Sequence, residues 1–228
     1  MQLNGIDQNV YLKLYPAIAA NVLLIVFALM RRPYLKTYLL FFAITTLVDI
    51  LVAGKIVPIA DDNVRTAFEY VFVLIGDLRY IILLAYMLYA GRPLSDVARF
   101  RPGGDVLKPT LIFTLFPTLL VSAIAFAKPN LMTIGRHRFL AYELIFFVLT
   151  FLWMYVVLPQ KPITEVAKNF LRRASLPVFG FYALWATADM LILNGIEAGY
   201  ALRIIPNLLY YCGFLWWIAQ ISESKGER

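Results

Sequence analysis

Charge is scarce in this chain of 228 residues: Asp, Glu, Lys and Arg make up 15% of it, against the roughly one quarter found in soluble domains. Histidine and cysteine occur once each. That excludes an intramolecular disulfide, and it excludes zinc or haem sites built from the usual ligand sets. No glycine-rich phosphate loop and no hydrolase nucleophile motif is present. Lys and Arg exceed Asp and Glu by 7, yet they are scattered through short loops and form no continuous basic stripe, so nucleic acid is not an expected partner.

What the chain has is apolar surface. Hydrophobic residues make up 61% and mean hydropathy is +0.74, so the expected solvent is the lipid bilayer. An all-α, polytopic membrane protein follows, a single transmembrane domain over residues 1–228. Hydropathy predicts seven spans, at about 10–30, 37–57, 67–90, 109–127, 138–158, 176–196 and 202–221, each near the ~20 residues a helix needs to cross hydrocarbon. Arg31-Arg32-Pro33, Gly91-Arg92-Pro93 and Pro159-Gln160-Lys161-Pro162 end the first, third and fifth, because proline and glycine interrupt helices. Met1 to Asn9 lack the basic start of a cleavable signal peptide, so the first span is expected to stay in the membrane.

Alternate loops carry 13 and 7 Lys and Arg residues. The richer side is cytoplasmic by the positive-inside rule, which puts the N-terminus outside and the C-terminus in the cytoplasm, in a cytoplasmic (inner) or plasma membrane. At a spacing of 140 residues, Phe41 to Leu51 aligns with Phe181 to Leu191 and brings Asp49 opposite Asp189. The match suggests a 3+1+3 parallel repeat joined by the fourth span.

Functional content concentrates in charges inside the spans. Asp49, Asp77, Arg79, Glu143 and Asp189 all fall there, and each costs roughly 2.5–3.5 kcal/mol at the membrane centre unless the interior needs it. At about 1.5 Å per residue, Asp49, Asp77 and Asp189 come to one level, about 3–5 Å outward of the midplane. Asp77 and Arg79 sit about 200° apart on their helix and cannot pair with each other. Arg79 is expected to neutralise Asp49 or Asp189, with the other acids protonated or hydrogen-bonded to Thr45, Thr46, Tyr80 or Asn207. The candidate ligand-binding or proton- or cation-coupling set is thus Asp49, Asp77, Arg79, Glu143, Asp189, Tyr80, Trp185 and Asn207. Tyr70, Tyr182, Tyr210, Tyr211, Trp216 and Trp217 add aromatic surface suited to an organic cation. The same acids also serve as hydrogen-bonding glue between helices.

His137 reads as an interfacial polar residue, Cys212 as a structural thiol, and Ile163 to Ser175 as a short amphipathic turn on anionic lipid. The layout resembles the microbial rhodopsins, but residues 203–220 hold no lysine, which argues against covalent retinal; no other cofactor is expected. Pro159-Gln160 and the suggested repeat resemble the SWEET sugar transporters. Gly76-Asp77 resembles the glycine-acid pair of lysoplasmalogenase-like membrane enzymes. These likenesses are of layout, and none carries a role onto a numbered residue.

The leading expectation is a small-solute or ion carrier, or a ligand-binding membrane protein, with an intramembrane acidic site. The expected partners are the bilayer, a small-molecule or cation ligand, and other membrane proteins or further copies of the chain. Two alternatives stand beside it: a non-catalytic subunit of a membrane complex or a membrane sensor, and an intramembrane lipid hydrolase with Asp77 and Asp189 as acid and base.

Overall fold

The computed structural model describes residues 15–31, 33–53, 59, 61–131 and 135–226, and these are helical almost throughout, with no strand among them. In chain order, α1 is Tyr15–Arg31, α2 Lys36–Ala53 and α3 Asp62–Leu84, which widens into a π turn at Ala85–Tyr89. A short α4, Leu94–Arg99, leads to α5, Gly104–Ala127. Helix α6 runs Gly135–Leu152, passes through a π turn at Trp153–Val157 and closes at Leu158–Gln160. Helix α7 is Glu165–Leu193. Helix α8 is assembled from Ala198–Leu202, Ile204–Leu208, a π turn at Leu209–Gly213, and Phe214–Gly226.

Four of these are long and apolar enough to cross a membrane: Gly104–Ala127, Gly135–Gln160, Glu165–Leu193 and Ala198–Glu223. The distribution of side chains agrees with a lipid solvent. Met30, Ile112, Leu119 and Phe126 are exposed, at 77%, 62%, 64% and 91%, while Arg79, Glu143 and Asp189 are 2%, 4% and 0% exposed. A water-soluble protein shows the reverse.

Helix α3 is the centre of the packing. Every residue from Arg79 to Leu88 is buried, so the helix meets neighbours on all sides. Around it, α7 packs most extensively on α8 and next on α6, α1 packs on α2, and α3 itself contacts α2, α5 and α7. Gly91 ends this helix at φ +60 while the Arg92 amide bonds back to the Tyr86 carbonyl at 2.8 Å, the left-handed closure that glycine adopts cheaply.

Several helices differ from the hydropathy reading. Helix α5 begins at Gly104, not near 109, and continues through both Pro109 and Pro117. Helix α7 begins at Glu165, not near 176, so the segment read as an amphipathic turn forms its first turns, with Phe170, Leu171 and Ala174 buried. Lys168, Arg172 and Arg173 lower the average hydropathy there although one face is apolar. Pro177 lies inside α7 and removes the amide that would bond to the Arg173 carbonyl. The indole Nε1 of Trp217 donates to that carbonyl at 2.7 Å in its place. The short α4 was not expected. It ends on Phe100 at φ 43, whose ring packs against Tyr38, Phe41 and Phe42 with centroids 5.3–5.8 Å away.

Candidate functional site

Four of the five buried charges divide into two groups. The first surrounds Asp77 on α3. Its two carboxylate oxygens accept hydrogen bonds from the hydroxyls of Tyr142 on α6 and Tyr182 on α7. Phe146, one turn along α6 from Tyr142, stacks on Tyr182 at 4.8 Å with the rings 5° from parallel. Asp77 is therefore held by neutral donors from two other helices.

Arg79 turns away from it, as the 200° spacing requires. Its Nε donates to the Gly76 carbonyl at 2.8 Å, and Nη1 donates to Thr46 Oγ1 and to the Tyr210 carbonyl, each at 3.2 Å. The guanidinium lies 4.3 Å from the centre of the Tyr210 ring. The π turn of α8 presents backbone to these partners: the Tyr210 carbonyl takes Arg79, and the Tyr211 carbonyl takes Asn21 Nδ2 at 2.8 Å. Such wide turns recur where a helix serves a site. Tyr38 of α2 completes the arrangement, its hydroxyl donating to the Arg79 carbonyl at 2.7 Å.

Gly76 explains how α8 comes so close. A Cβ placed on it would lie 1.6 Å from the Tyr210 hydroxyl oxygen and 2.6 Å from Cζ. Only a residue without a side chain admits Tyr210 beside Asp77. Between Gly76, Asp77, Arg79, Tyr80, Phe146 and Tyr182 a cavity remains with about 10 Å3 of room, the lower bound for one water molecule. An organic cation has no preformed cage there. The surrounding rings, Phe181, Tyr182, Trp185 and Tyr210, pack on one another with centroids 4.8–5.8 Å apart.

The second group centres on Asp189 near the end of α7, fully buried. Its Oδ1 accepts from Arg136 Nη1 of α6 at 2.8 Å and from Arg203 Nη1 of α8. Arg203 also lies 3.6 Å from Glu143 Oε1. Gly199 allows α8 to start against α7, where a Cβ would meet the Ala188 carbonyl at 2.6 Å, and Arg203 follows one turn later. Glu143 Oε2 and Asp189 Oδ2 are buried without a hydrogen-bond partner.

These pairings correct the expected ones. Arg79 makes no ion pair with Asp49 or Asp189 among the described residues; Asp189 is taken by Arg136 and Arg203, which lie near the starts of α6 and α8. The expected hydrogen bonds from Thr46, Tyr80 and Asn207 to acids are replaced by others. Thr46 serves Arg79, Tyr80 bonds Ser175 Oγ at 2.7 Å, and Asn207 Oδ1 accepts from Trp185 Nε1 at 3.1 Å. Asp49, on α2, is buried.

The single acidic level becomes two. Tyr182, which binds Asp77, and Asp189 are seven residues apart on α7, about 10 Å along its axis, and helical side chains lean toward the N-terminus, which carries the Tyr182 hydroxyl further from Asp189. On α6, Tyr142 and Glu143 are neighbours about 100° apart, so one helix serves both groups. The Tyr70 side chain lies outside the described residues. Sequence reasoning missed Tyr142, Asn21, Arg136 and Arg203 as members. Asn21, a lone amide in an apolar helix, carried a readable signal.

Comparison with protein-family models, with curated proteins and with solved structures gives no match to this chain.

Proposed function

We propose that the chain is a seven-span membrane carrier for a small solute or ion, in which Asp77 takes and releases the coupled proton or cation. The reading includes α1, α2 and α3 as further spans, the N-terminus outside, and the 3+1+3 layout with α2 and α7 as counterparts.

One observation carries it: Asp77 is buried yet held by two tyrosine hydroxyls, while the nearby Arg79 is engaged by neutral acceptors. A carboxylate fixed by an ion pair cannot change its charge without orphaning a buried cation. A carboxylate held by hydroxyls can, because a tyrosine hydroxyl both donates and accepts. The water-sized cavity at Asp77 supplies a place for the exchanging species. Asp189 has the opposite character, with two guanidiniums on one oxygen, and belongs to the architecture that ties α6, α7 and α8 together.

The test is transport in liposomes holding the purified protein and a pH-sensitive dye, challenged with a panel of amino acids, sugars, organic cations and inorganic cations. At least one compound is expected to drive proton or ion movement that Asp77→Asn reduces to the protein-free level and Glu143→Gln leaves largely in place. Movement that survives Asp77→Asn overturns the proposal.

A further inference from the structure

Few oxygens can gather beside Asp77. A hard metal cation takes about six oxygen ligands, whereas the cavity at Asp77 has about 10 Å3 of room. Of the side chains that line it, only those of Asp77, Tyr80 and Tyr182 carry oxygen. Phe146, Val178, Phe181 and Phe214 supply carbon, and Arg79 supplies a positive charge. Tyr80 turns its hydroxyl to Ser175 Oγ of α7 at 2.7 Å, which leaves Asp77 and Tyr182.

The backbone does not make up the difference. Carriers commonly bind a coupling metal ion through carbonyls of an irregular stretch of helix, and the π turn of α8 presents two near this site. Arg79 Nη1 donates to that of Tyr210 at 3.2 Å, and Asn21 Nδ2 donates to that of Tyr211 at 2.8 Å. The Gly76 carbonyl accepts from Arg79 Nε, and the Arg79 carbonyl accepts from the Tyr38 hydroxyl. Each of these oxygens faces a donor, two of them the guanidinium itself. A metal ion placed there would meet Arg79 across an interior that screens charge poorly.

We propose that the species Asp77 takes and releases is a proton, delivered by a water molecule in the cavity, and not a metal cation. The inference rests on the carrier reading above and narrows its coupling species. A hydronium in the cavity gives one proton to a carboxylate oxygen, leaving water behind and Asp77 a neutral acid. The Tyr182 hydroxyl lines the same cavity, so it turns its oxygen to accept the new O–H and its own hydrogen to that water. Tyr142 keeps donating to the other carboxylate oxygen. Arg79 loses no bond, because its partners are Gly76, Thr46 and Tyr210. The other titratable and charged groups around Asp77 are Tyr210 and Tyr211 of α8 and Arg79 on its own helix. Among the described residues no side chain of α2 or α5 bonds to it.

The experiment is infrared difference spectroscopy of the full chain in lipid, stepped from alkaline to mildly acidic buffer and, separately, given sodium, potassium or calcium chloride at constant pH. Acidification is expected to raise the carbonyl-stretch band of a protonated carboxyl that Asp77→Asn lacks and Glu143→Gln retains. Asp77→Glu, which keeps the acid if the amide variant fails to fold, is expected to return that band at a shifted frequency. The three salts are expected to leave it unchanged. A band of Asp77 that falls as one of these cations is added at constant pH overturns the proposal. So does the absence of any Asp77-dependent band over the pH range in which the chain stays folded. Failure of the carrier reading gives a different result: the band titrates as expected, yet no compound in the liposome panel drives ion movement that depends on Asp77. Asp77-dependent transport driven by a sodium gradient without proton movement keeps the carrier and overturns the proton.

Discussion

Trp217 supplies the Arg173 carbonyl with the hydrogen bond that Pro177 withholds. The indole Nε1 lies 2.7 Å from that oxygen, so a proline inside α7 leaves no unpaired backbone group and at the same time fastens α8 to α7. Trp217→Phe is therefore expected to lower stability by about 0.5–1.5 kcal/mol, read as unfolding in a graded detergent or denaturant series. In a Pro177→Ala background the helix regains its own amide, and the same substitution is expected to cost measurably less. Equal costs in the two backgrounds would show that the indole bond is not what compensates the proline.

Asp189 binds two cations from two helices. Asp189→Asn leaves Arg136 and Arg203 facing a neutral group, and a loss of about 3–5 kcal/mol is expected for breaking a buried pair. Arg136→Gln is expected to cost less, because Arg203 keeps Asp189 paired and the Arg136 side chain is the more exposed of the two, at 26% against 15%. Thermal unfolding of the two variants ranks them; the reverse order would contradict the arrangement.

At Asp77 the two tyrosines are separable. Tyr142→Phe and Tyr182→Phe each remove one hydroxyl from the carboxylate, at about 1.5–3 kcal/mol if it is charged. Tyr182 also stacks on Phe146 and is the more buried, but phenylalanine keeps that ring contact, so the two variants are expected to lose similar amounts. The double variant is expected to lose less than twice the single cost, since two groups on one carboxylate couple. Strict additivity in a double-mutant cycle would count against a shared site.

Gly76→Ala sets a methyl group 1.6 Å from the Tyr210 hydroxyl oxygen. Overpacking of this kind typically costs about 1–3 kcal/mol. Tyr210→Phe is expected to rescue it only in part, because the ring carbon still lies 2.6 Å from the new methyl. Tyr210→Leu, which removes the ring, is expected to recover more. The readout is again unfolding, and no rescue by either Tyr210 variant would place the conflict elsewhere.

Helices were legible in the sequence because long apolar runs favour them, and α1, α2, α3, α5, α6, α7 and α8 each overlap a run that was read, four of them long and apolar enough to cross a membrane. Their ends were less so. The first turns of α7 mix Lys168, Arg172 and Arg173 with buried Phe170 and Leu171, and an average over a window cancels the two. Which charges lie inside was legible too, since Asp49, Asp77, Arg79, Glu143 and Asp189 are all buried. Their partners were not. Arg136 and Arg203 sit at helix starts, where positive charge has an ordinary explanation in topology, and nothing in the periodicity of one helix says which residue of another faces it. Gly76 and Gly199 were likewise silent, for the contacts that require them come from residues far along the chain.

The seating of Tyr210 on Gly76 works as a mechanical key. Its hydroxyl occupies the space where any other residue would carry a side chain, so α3 and α8 cannot slide or rotate past one another without withdrawing the whole ring from Arg79. Tyr38 and Thr46 pin α2 to the same Arg79. Helices α2, α3 and α8 thus meet at Arg79, while α6 and α7 reach α3 at Asp77 through the Tyr142 and Tyr182 hydroxyls.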